Sequence, residues 1–570
     1  MVRLINVPFC LLSLPSYEVA SIKAYLNEHD IDVFVDNIYI NIAEHIQGDI
    51  YRILRTTNIG EMIFASMLDE EIYNNSIDII SEKLKKYNLD YYQITSLLKS
   101  YIMSYIRELN CYDKYYGFYI YTQQLYTALY FSKIIKIERP DSRIIFMGYN
   151  CQDMMGVSLK KTFEWIDIVI QDNVEERLLA YLKNTEEIIH DNLDFLPSPD
   201  YSDFFRTLKS CSSEFIKEYL GQYALQLEVS RGCYWNKCCF CTYNCNSPSF
   251  REKSLKNIER DFRELQTKYQ TVEIVLNQLA PESKWKQTLD LLYNINPIML
   301  KKMSYNFKVE TLSKPEDFKL LAKFGVSILV GTESFSFKYL KKLNKNQRVI
   351  DNIFVLKFAE RYNLPLYHNL LYGFPFEDNL MYSESMETIS FIYHLQPPFD
   401  LEKFRLTYGS DVYMNPKKYN VKSIFPRYEV ENAFLTMEMK KHFIPFFYDY
   451  DSTGTNIEAE KWESLIEEWR RKYYSYSSNG MPKKDSLLYM VYNDEVLHIH
   501  DMRYSCYPRL YTFYNTEKQV YHFCDTIKTY SQILSRFSNV SESRISKILK
   551  DFVSNKIMFK EDDCYLSLSI

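Results

Sequence analysis

At 570 residues, 46 % of them hydrophobic and 25 % charged, the chain has the length of about three or four domains and too much apolar content to stay disordered. A net charge of −6 argues against a protein that coats nucleic acid. No apolar run approaches the ~20 residues of a membrane span.

Met1 to Pro8 reads as a strand, because a signal peptide would need a basic stretch and a longer apolar core. Val19, Ile22 and Leu26 at helical spacing predict a helix from Pro15 to Glu28, and Ile31 to Val35 is strand-like again. This start predicts a doubly wound sheet. Residues 50–110 are helical in period and form an expected insertion. Strands resume at Tyr116–Ile120 and Arg143–Gly148 with a helix between them, then Trp165–Ile170 and the helix Val174–Lys183. Ligands of such sheets sit at the strand carboxyl ends, here near Tyr121, Thr122, Gly148–Cys151 and Gln171.

Pro197 and Pro199, spaced by Ser198, keep the chain extended and mark a boundary. From 223 to 410 strands alternate with helices, which predicts parallel strands, helical crossovers and a second site at strand carboxyl ends. After 415 the period turns helical, with helices expected at Glu429–His442 and Glu458–Lys472, and Ser475–Gly480 reads as a linker. The last ninety residues or so predict a small separate domain: two strands, three helices and a terminal hairpin. Its expected core includes Leu510, Phe523, Ile548, Leu549, Phe552 and Leu566, and Ser541 is the expected N-cap of the last helix. The resulting fold class is α/β, with expected domains at 1–191, 192–415, 416–480 and 481–570.

The chemistry centres on Arg231-Gly232-Cys233-Tyr234-Trp235-Asn236-Lys237-Cys238-Cys239-Phe240-Cys241, which follows a strand at Ala224–Val229. Three thiolates can hold three irons of a four-iron cluster and leave the fourth iron open to a small ligand. Structural zinc is the alternative, but it wants two separated pairs of ligands. Beyond Cys245 the next cysteines are Cys506 and Cys524, distant and unpaired. The twelve cysteines, clustered at one loop and scattered elsewhere, imply a reducing cytoplasm rather than a disulfide framework.

This loop resembles the cluster loop of radical S-adenosylmethionine (SAM) enzymes, one residue longer than usual. Glu228-x-Ser230-Arg231-Gly232-Cys233 is similar to their cobalamin-binding branch. Tyr234-Trp235 and Asn369-Leu370-Leu371-Tyr372-Gly373-Phe374-Pro375 resemble a subfamily that matures ribosomally made peptides (RiPPs). Gly331-Thr332-Glu333-Ser334 resembles a SAM-binding signature of that branch. Ile499 to Arg503, Cys524-Asp525 and Tyr565-Leu566-Ser567-Leu568 resemble the subfamily's carboxyl-terminal segment.

The resemblance implies an amino-terminal cobalamin-binding-like domain, a radical SAM partial barrel and a winged-helix-like carboxyl-terminal domain that docks peptide. It implies a [4Fe-4S] cluster on Cys233, Cys238 and Cys241, with Cys239 an alternative to Cys238. It also implies SAM near Phe240, Asn277, Lys308, Thr332, Glu333 and Tyr372. Cobalamin is implied too, although the family's Asp-x-His-x-x-Gly signature is absent and Tyr149 stands where a second glycine is usual, so a structural α/β shell is the alternative. The activity implied is radical modification of an unactivated carbon of a precursor peptide, C-methylation where cobalamin is bound. An electron donor such as flavodoxin or ferredoxin is the implied partner. A tRNA or small-molecule substrate and a non-catalytic metal-binding adaptor are the alternatives.

Overall fold

The computed structural model describes the chain except residues 110–111, 122, 222, 243–248, 271–272, 279, 301–302, 428–432, 455–456, 475–486 and 504–507. Thr122, Cys245, Cys506 and the expected linker 475–480 therefore lie outside the described residues.

The first sheet holds β1 (Val2–Ile5), β2 (Val33–Asp36), β3 (Tyr115–Ile120), β4 (Arg143–Gly148) and β5 (Ile168–Ile170), all parallel, in the order β2-β1-β3-β4-β5. The order reverses between β1 and β3, and such a crevice is where these sheets take ligands. Val19, Ile22 and Leu26 of the helix Tyr17–Glu28 pack with Val174 and Leu178 on one face. The other face is covered by the helix Leu125–Glu138 and by the insertion, whose Leu54, Phe64 and Leu98 join the same core.

The second region pairs β6 (Leu225–Glu228) with β9 (Ile274–Asn277), parallel, around the short antiparallel pair β7 (Ser230–Arg231) and β8 (Arg251–Glu252). Then β10 (Ser304–Phe307), β11 (Ser327–Glu333), β12 (Leu366–Tyr372) and β13 (Asp400–Lys403) follow as a parallel sheet in chain order. Asn306 Nδ2 donates to Gln278 O at 2.7 Å and ties β10 to the end of β9. Helices between the strands bury Ile258, Leu289, Phe318 and Ile353 against them.

After residue 415 the expectation of helix fails in part. β14 (Leu406–Thr407), β15 (Val421–Pro426) and β16 (Phe447–Ser452) form an antiparallel sheet in the order β14-β16-β15. Of the helix expected at 429–442, the described part holds only the 3₁₀ turn Met439–Lys441. Its apolar residues Phe434 and Leu435, with Phe443 just past it, pack into the core of the first sheet, so their spacing reflects an irregular segment seated on that core. The helix Ala459–Tyr474 forms as expected.

The carboxyl-terminal region has a meander of β17 (Leu488–Tyr492), β18 (Val496–Asp501) and β19 (Arg509–Tyr514). The strand β19 was not expected. Three helices follow, with a second small sheet of β20 (Lys528–Thr529), β21 (Met558–Glu561) and β22 (Cys564–Ser567). Two expectations are corrected here. Leu510 is 59 % exposed rather than core, and the remaining core does not stand apart but runs continuously into the second region. Ser541 holds the N-cap position, but its hydroxyl meets Ser543 Oγ at 3.3 Å and caps no helix N–H. Among the described residues no helix is long and apolar enough to cross a membrane.

Candidate active site

The cysteine loop leaves β7 through Gly232, whose φ of +88° favours glycine. Its backbone is pinned from outside. Trp235 Nε1 donates to Asn344 O at 2.8 Å, Asn344 Nδ2 to Lys237 O at 2.8 Å, and Cys239 N to Leu343 O at 3.0 Å. These bonds turn the two middle cysteines opposite ways. Cys239 is fully buried in an apolar cluster with Tyr339, Leu343 and Val412, where burial pushes its thiol well above the usual range. Cys233, Cys238 and Cys241 keep partial exposure. Burial raises the Cys238 thiol, while Lys345 and Lys308 pull it back down. Among the described residues no three His, Cys, Asp or Glu groups converge tightly enough to hold one metal ion. A four-iron cluster asks for less convergence, since each thiolate binds a different iron.

Lys345 is the charge at the centre of this site. Its ammonium lies 2.7 Å from Glu333 Oε1 and 5.9 Å from the centroid of the Phe240 ring. Burial pushes its pKa down, but Glu333 together with Cys238 and Cys241 outweighs burial and holds it above the usual lysine range. Glu333 sits at φ +60°, where the register of β11 against β12 slips. Gly331 leaves room for this pair, because a Cβ there would stand 2.6 Å from Glu333 Oε1 and 2.7 Å from Lys345 Nζ and would make both side-chain ends shift.

Glu333, Phe240 and Tyr372 line one cavity of about 730 Å³ at the carboxyl ends of the strands, together with Asn369 and Leu371. Asn369 Nδ2 donates to Glu402 Oε1 at 2.8 Å, which orients its amide at the rim. Lys308 is not in this cavity. It lies over the Tyr234 and Trp235 rings at 6.0 and 5.4 Å and pairs with Glu310 at 3.2 Å. Thr332 is corrected outright: it is fully buried on the other side of β11, where its hydroxyl meets His368 Nδ1 at 2.9 Å and donates to Asn369 O at 3.0 Å. Alternation along a strand explains this, since Thr332 and Glu333 must face opposite ways.

Asn277 lines a separate cavity of about 570 Å³, between the first sheet and the second region. Its walls are Phe9, Leu11, Tyr121 and Tyr149 from the ends of β1, β3 and β4, with Phe446 and Phe447 opposite. Nearby, Arg231 joins the two regions. Its guanidinium donates to both oxygens of Glu175, at 2.9 and 3.0 Å, and to both of Glu228, at 2.7 and 3.0 Å. Tyr17 OH donates to Glu228 Oε2 at 2.7 Å and Ser21 Oγ to Glu175 Oε1 at 2.8 Å. Burial would raise the Glu175 carboxyl, but Arg231 holds it down at about 2. Sequence reasoning missed Lys345 and Glu175. A lysine twelve residues past a strand-end glutamate, before a helix, was the available signal for the first.

No family model matches the chain, and no curated protein matches it. Solved structures do match. The cobalamin-dependent SAM radical enzyme OxsB, with aqua-cobalamin bound, aligns over 84 % of this chain and 67 % of its own, at a TM-score of 0.53 and 13 % identity. The radical SAM methyltransferase TsrM from Kitasatospora setae, with cobalamin and a [4Fe-4S] cluster bound, aligns over 82 % of this chain and 90 % of its own, at 0.53 and 11 %. The fold is similar to that of these two structures.

The residues can be tested against the groups this fold implies. Three partly exposed thiols beside two lysines suit a cluster, because cations favour thiolate. The cavity of Phe9, Tyr121 and Tyr149 suits a flat, largely apolar macrocycle, and among the described residues no histidine lines it, so a corrinoid there would take no imidazole from those walls. Gly148 is not a bed for such a ring. Its φ is +103°, and a Cβ would stand 2.4 Å from Ile120 O, so the turn alone explains it.

Proposed function

We propose that this chain is a radical SAM enzyme, with a four-iron cluster on Cys233, Cys238 and Cys241, SAM in the cavity of Phe240, Glu333 and Tyr372, and cobalamin in the cavity of Phe9, Tyr121 and Tyr149. One observation carries the reading: a fold shared with OxsB and TsrM over more than four-fifths of the chain, with the thiols placed beside the Lys345–Glu333 pair. When bound, these groups supply one-electron cleavage of a carbon–sulfur bond and a methyl carrier.

The chain's own residues bind, orient and exclude water. Lys345 places a buried positive charge beside Cys238 and Cys241, which favours their thiolate forms. Glu333, anchored on Lys345, offers its carboxylate to the ribose hydroxyls or amino group of SAM. Phe240, packed edge-on against Phe374 at 5.9 Å, closes the loop against solvent. Asn277 lines the cavity of Phe9, Tyr121 and Tyr149, and Lys308 covers the cysteine loop through its rings.

The substrate class follows from the resemblance of residues 369–375 to peptide maturases: a ribosomally made precursor peptide, methylated at an unactivated carbon in a reducing cytoplasm, with flavodoxin or ferredoxin as electron donor. Domains at 1–191 (cobalamin-binding-like), 192–415 (partial barrel), 416–480 and 481–570 (winged-helix-like) belong to the same reading. A small-molecule substrate is the second reading, favoured by a TsrM structure that holds tryptophan and a SAM analogue, with a TM-score of 0.51. The test is anaerobic reconstitution with iron and sulfide, then SAM and reductant. Iron–sulfur absorption and 5′-deoxyadenosine or methyl transfer are expected. A zinc-bound protein that leaves SAM intact would overturn the reading.

A further inference from the structure

The cavity that holds Glu333 adjoins a second of about 740 Å³, and the two share Tyr372, Lys403, Phe404 and Arg405. Residues 400–405 line the first cavity without a break. They comprise β13 and the two residues after it, and β13 is the last strand of its sheet, paired with β12 alone. Among the described residues no strand pairs with its other edge, which leaves a short free edge beside the trough, a template for another strand.

Charge along the trough is asymmetric. Its acids are engaged: Glu333 with Lys345, Asp400 with Leu401 N at 2.8 Å, Glu402 with Asn369, and Glu458 with Lys461 at 3.5 Å. Asp449 is engaged as well. Its cations are held more loosely, with Arg405 acting on Glu402 through space alone. Lys403, Arg405 and Arg427 make no ion pair or side-chain hydrogen bond among the described residues, although the chain as a whole carries more acids than bases. Arg427 is half-buried, so its charge is the least screened by solvent. The remaining wall is aromatic, with Phe404, Phe425 and Tyr450.

We infer that this trough binds an extended peptide segment bearing carboxylates, which adds a strand to the free edge of β13 and sets its acidic side chains against Lys403, Arg405 and Arg427. The aromatic wall takes the apolar side chains between them, because side chains of an added strand alternate. Single-stranded RNA would also meet cations and rings, but it cannot pair as a strand with the free edge of β13. The inference rests on the radical SAM reading only for what happens to the peptide once it is held.

The test uses full-length protein and fluorescence anisotropy. The probes are a labelled glutamate–valine alternating octapeptide, its glutamine–valine counterpart, the acidic peptide N-methylated on one edge, and an RNA oligonucleotide of similar length. The acidic peptide should bind about tenfold tighter than the glutamine one, and less tightly as salt rises. Lys403→Gln, Arg405→Gln and Arg427→Gln should each weaken it by about two- to fivefold, and the triple glutamate variant should abolish it. N-methylation on the pairing edge should weaken binding, and methylation on the other edge should not. Equal binding of both peptides, indifference to the triple variant, indifference to N-methylation, or tighter binding of RNA would each overturn the inference. SAM cleavage, measured on the same protein, separates the two claims: cleavage without acidic-peptide binding sinks this inference alone, and binding without cleavage sinks the radical SAM reading alone.

Discussion

Arg231 grips Glu175 through two hydrogen bonds, at 2.9 and 3.0 Å, and so joins the helix after β5 to the strand that feeds the cysteine loop. Both partners are largely buried, with side-chain exposures of 19 % and 4 %. The position of the loop relative to the first sheet therefore depends on an ion pair that works only if intact. Arg231→Ala leaves Glu175 and Glu228 as two buried carboxylates facing each other. It should destabilise the protein by roughly 3–5 kcal/mol. Glu175 titrates at about 2 in the fold and near its ordinary value when unfolded, so its contribution is present above about pH 4.5 and is lost as pH falls towards 2. Thermal melts of wild type and Glu175→Gln across pH 3 to 7 measure it. The difference should shrink at the acid end, and a constant gap would refute the linkage.

The cysteines divide by burial. Cys233→Ala, Cys238→Ala and Cys241→Ala should each lose the iron–sulfur absorption or SAM cleavage. Cys239→Ala should keep both and lower stability by about 1 kcal/mol, since it removes one small buried group. Loss of the cluster in Cys239→Ala with retention in Cys238→Ala would reverse the assignment.

Glu333 cannot be altered without consequence for Lys345. Glu333→Gln should raise the SAM concentration needed for cleavage and also lower Tm, because a buried ammonium loses its carboxylate. Glu333→Gln with Lys345→Met should restore most of the Tm and none of the SAM dependence. A double variant that melts lower than both single ones would show that the pair does not act as a unit.

His368 gives the sheet of β10 to β13 an acid limit of its own. Its ring is fully buried between Thr332 and Gln396 O, and burial holds its pKa at about 4. The unfolded chain takes up this proton from about pH 6.5, while the fold refuses it until about pH 4. Stability should thus fall by about 1.4 kcal/mol per pH unit across that window, and be flat above it. Denaturant melts of wild type and His368→Asn check this, and equal slopes would refute it.

These pairs mark the limit of what the sequence discloses. Periodicity placed Arg143–Gly148 and Val174–Lys183 where the structure has them, because burial of one face repeats along an element. The cysteine spacing and Phe240 singled out the loop that the structure places beside Lys345. Pattern does not name partners, however. Glu175 lies 56 residues from Arg231, and only the fold brings them together. Thr332 and Glu333 looked equally available as neighbours in one motif, yet the strand buries one and exposes the other to the cavity. The segment 433–442 carries apolar residues at helical intervals, but they serve the core of the first sheet and not a helix of their own.

The carboxyl-terminal region is the case where the structure changes the expected experiment. The sequence alone makes it a small separate domain after a linker. In the structure it is built into the helices of the second region. Lys357, with a side chain wholly shielded from solvent, donates to Asp525 Oδ1 at 2.8 Å and to Ser567 O at 2.7 Å. Arg361 reaches the same Asp525 at 2.6 and 2.7 Å. Glu561 accepts from Ile350 N at 2.6 Å, at the start of the helix that carries Lys357. Arg503, buried against Asp501, donates to Phe391 O, and His394 Nε2 lies 2.9 Å from Leu568 O. The Ile499–Arg503, Cys524-Asp525 and Tyr565–Leu568 segments thus have structural work. Truncation at Asn479 would uncover Ile350, Phe391 and their neighbours and strand Lys357 without a partner. The truncated chain should be insoluble or lose its cooperative melt, whatever the substrate. Asp525→Asn in the full chain should cost roughly 3 kcal/mol, since it leaves Lys357 buried and weakly paired. A soluble truncated protein that still melts cooperatively and cleaves SAM would show that the region is an appendage after all.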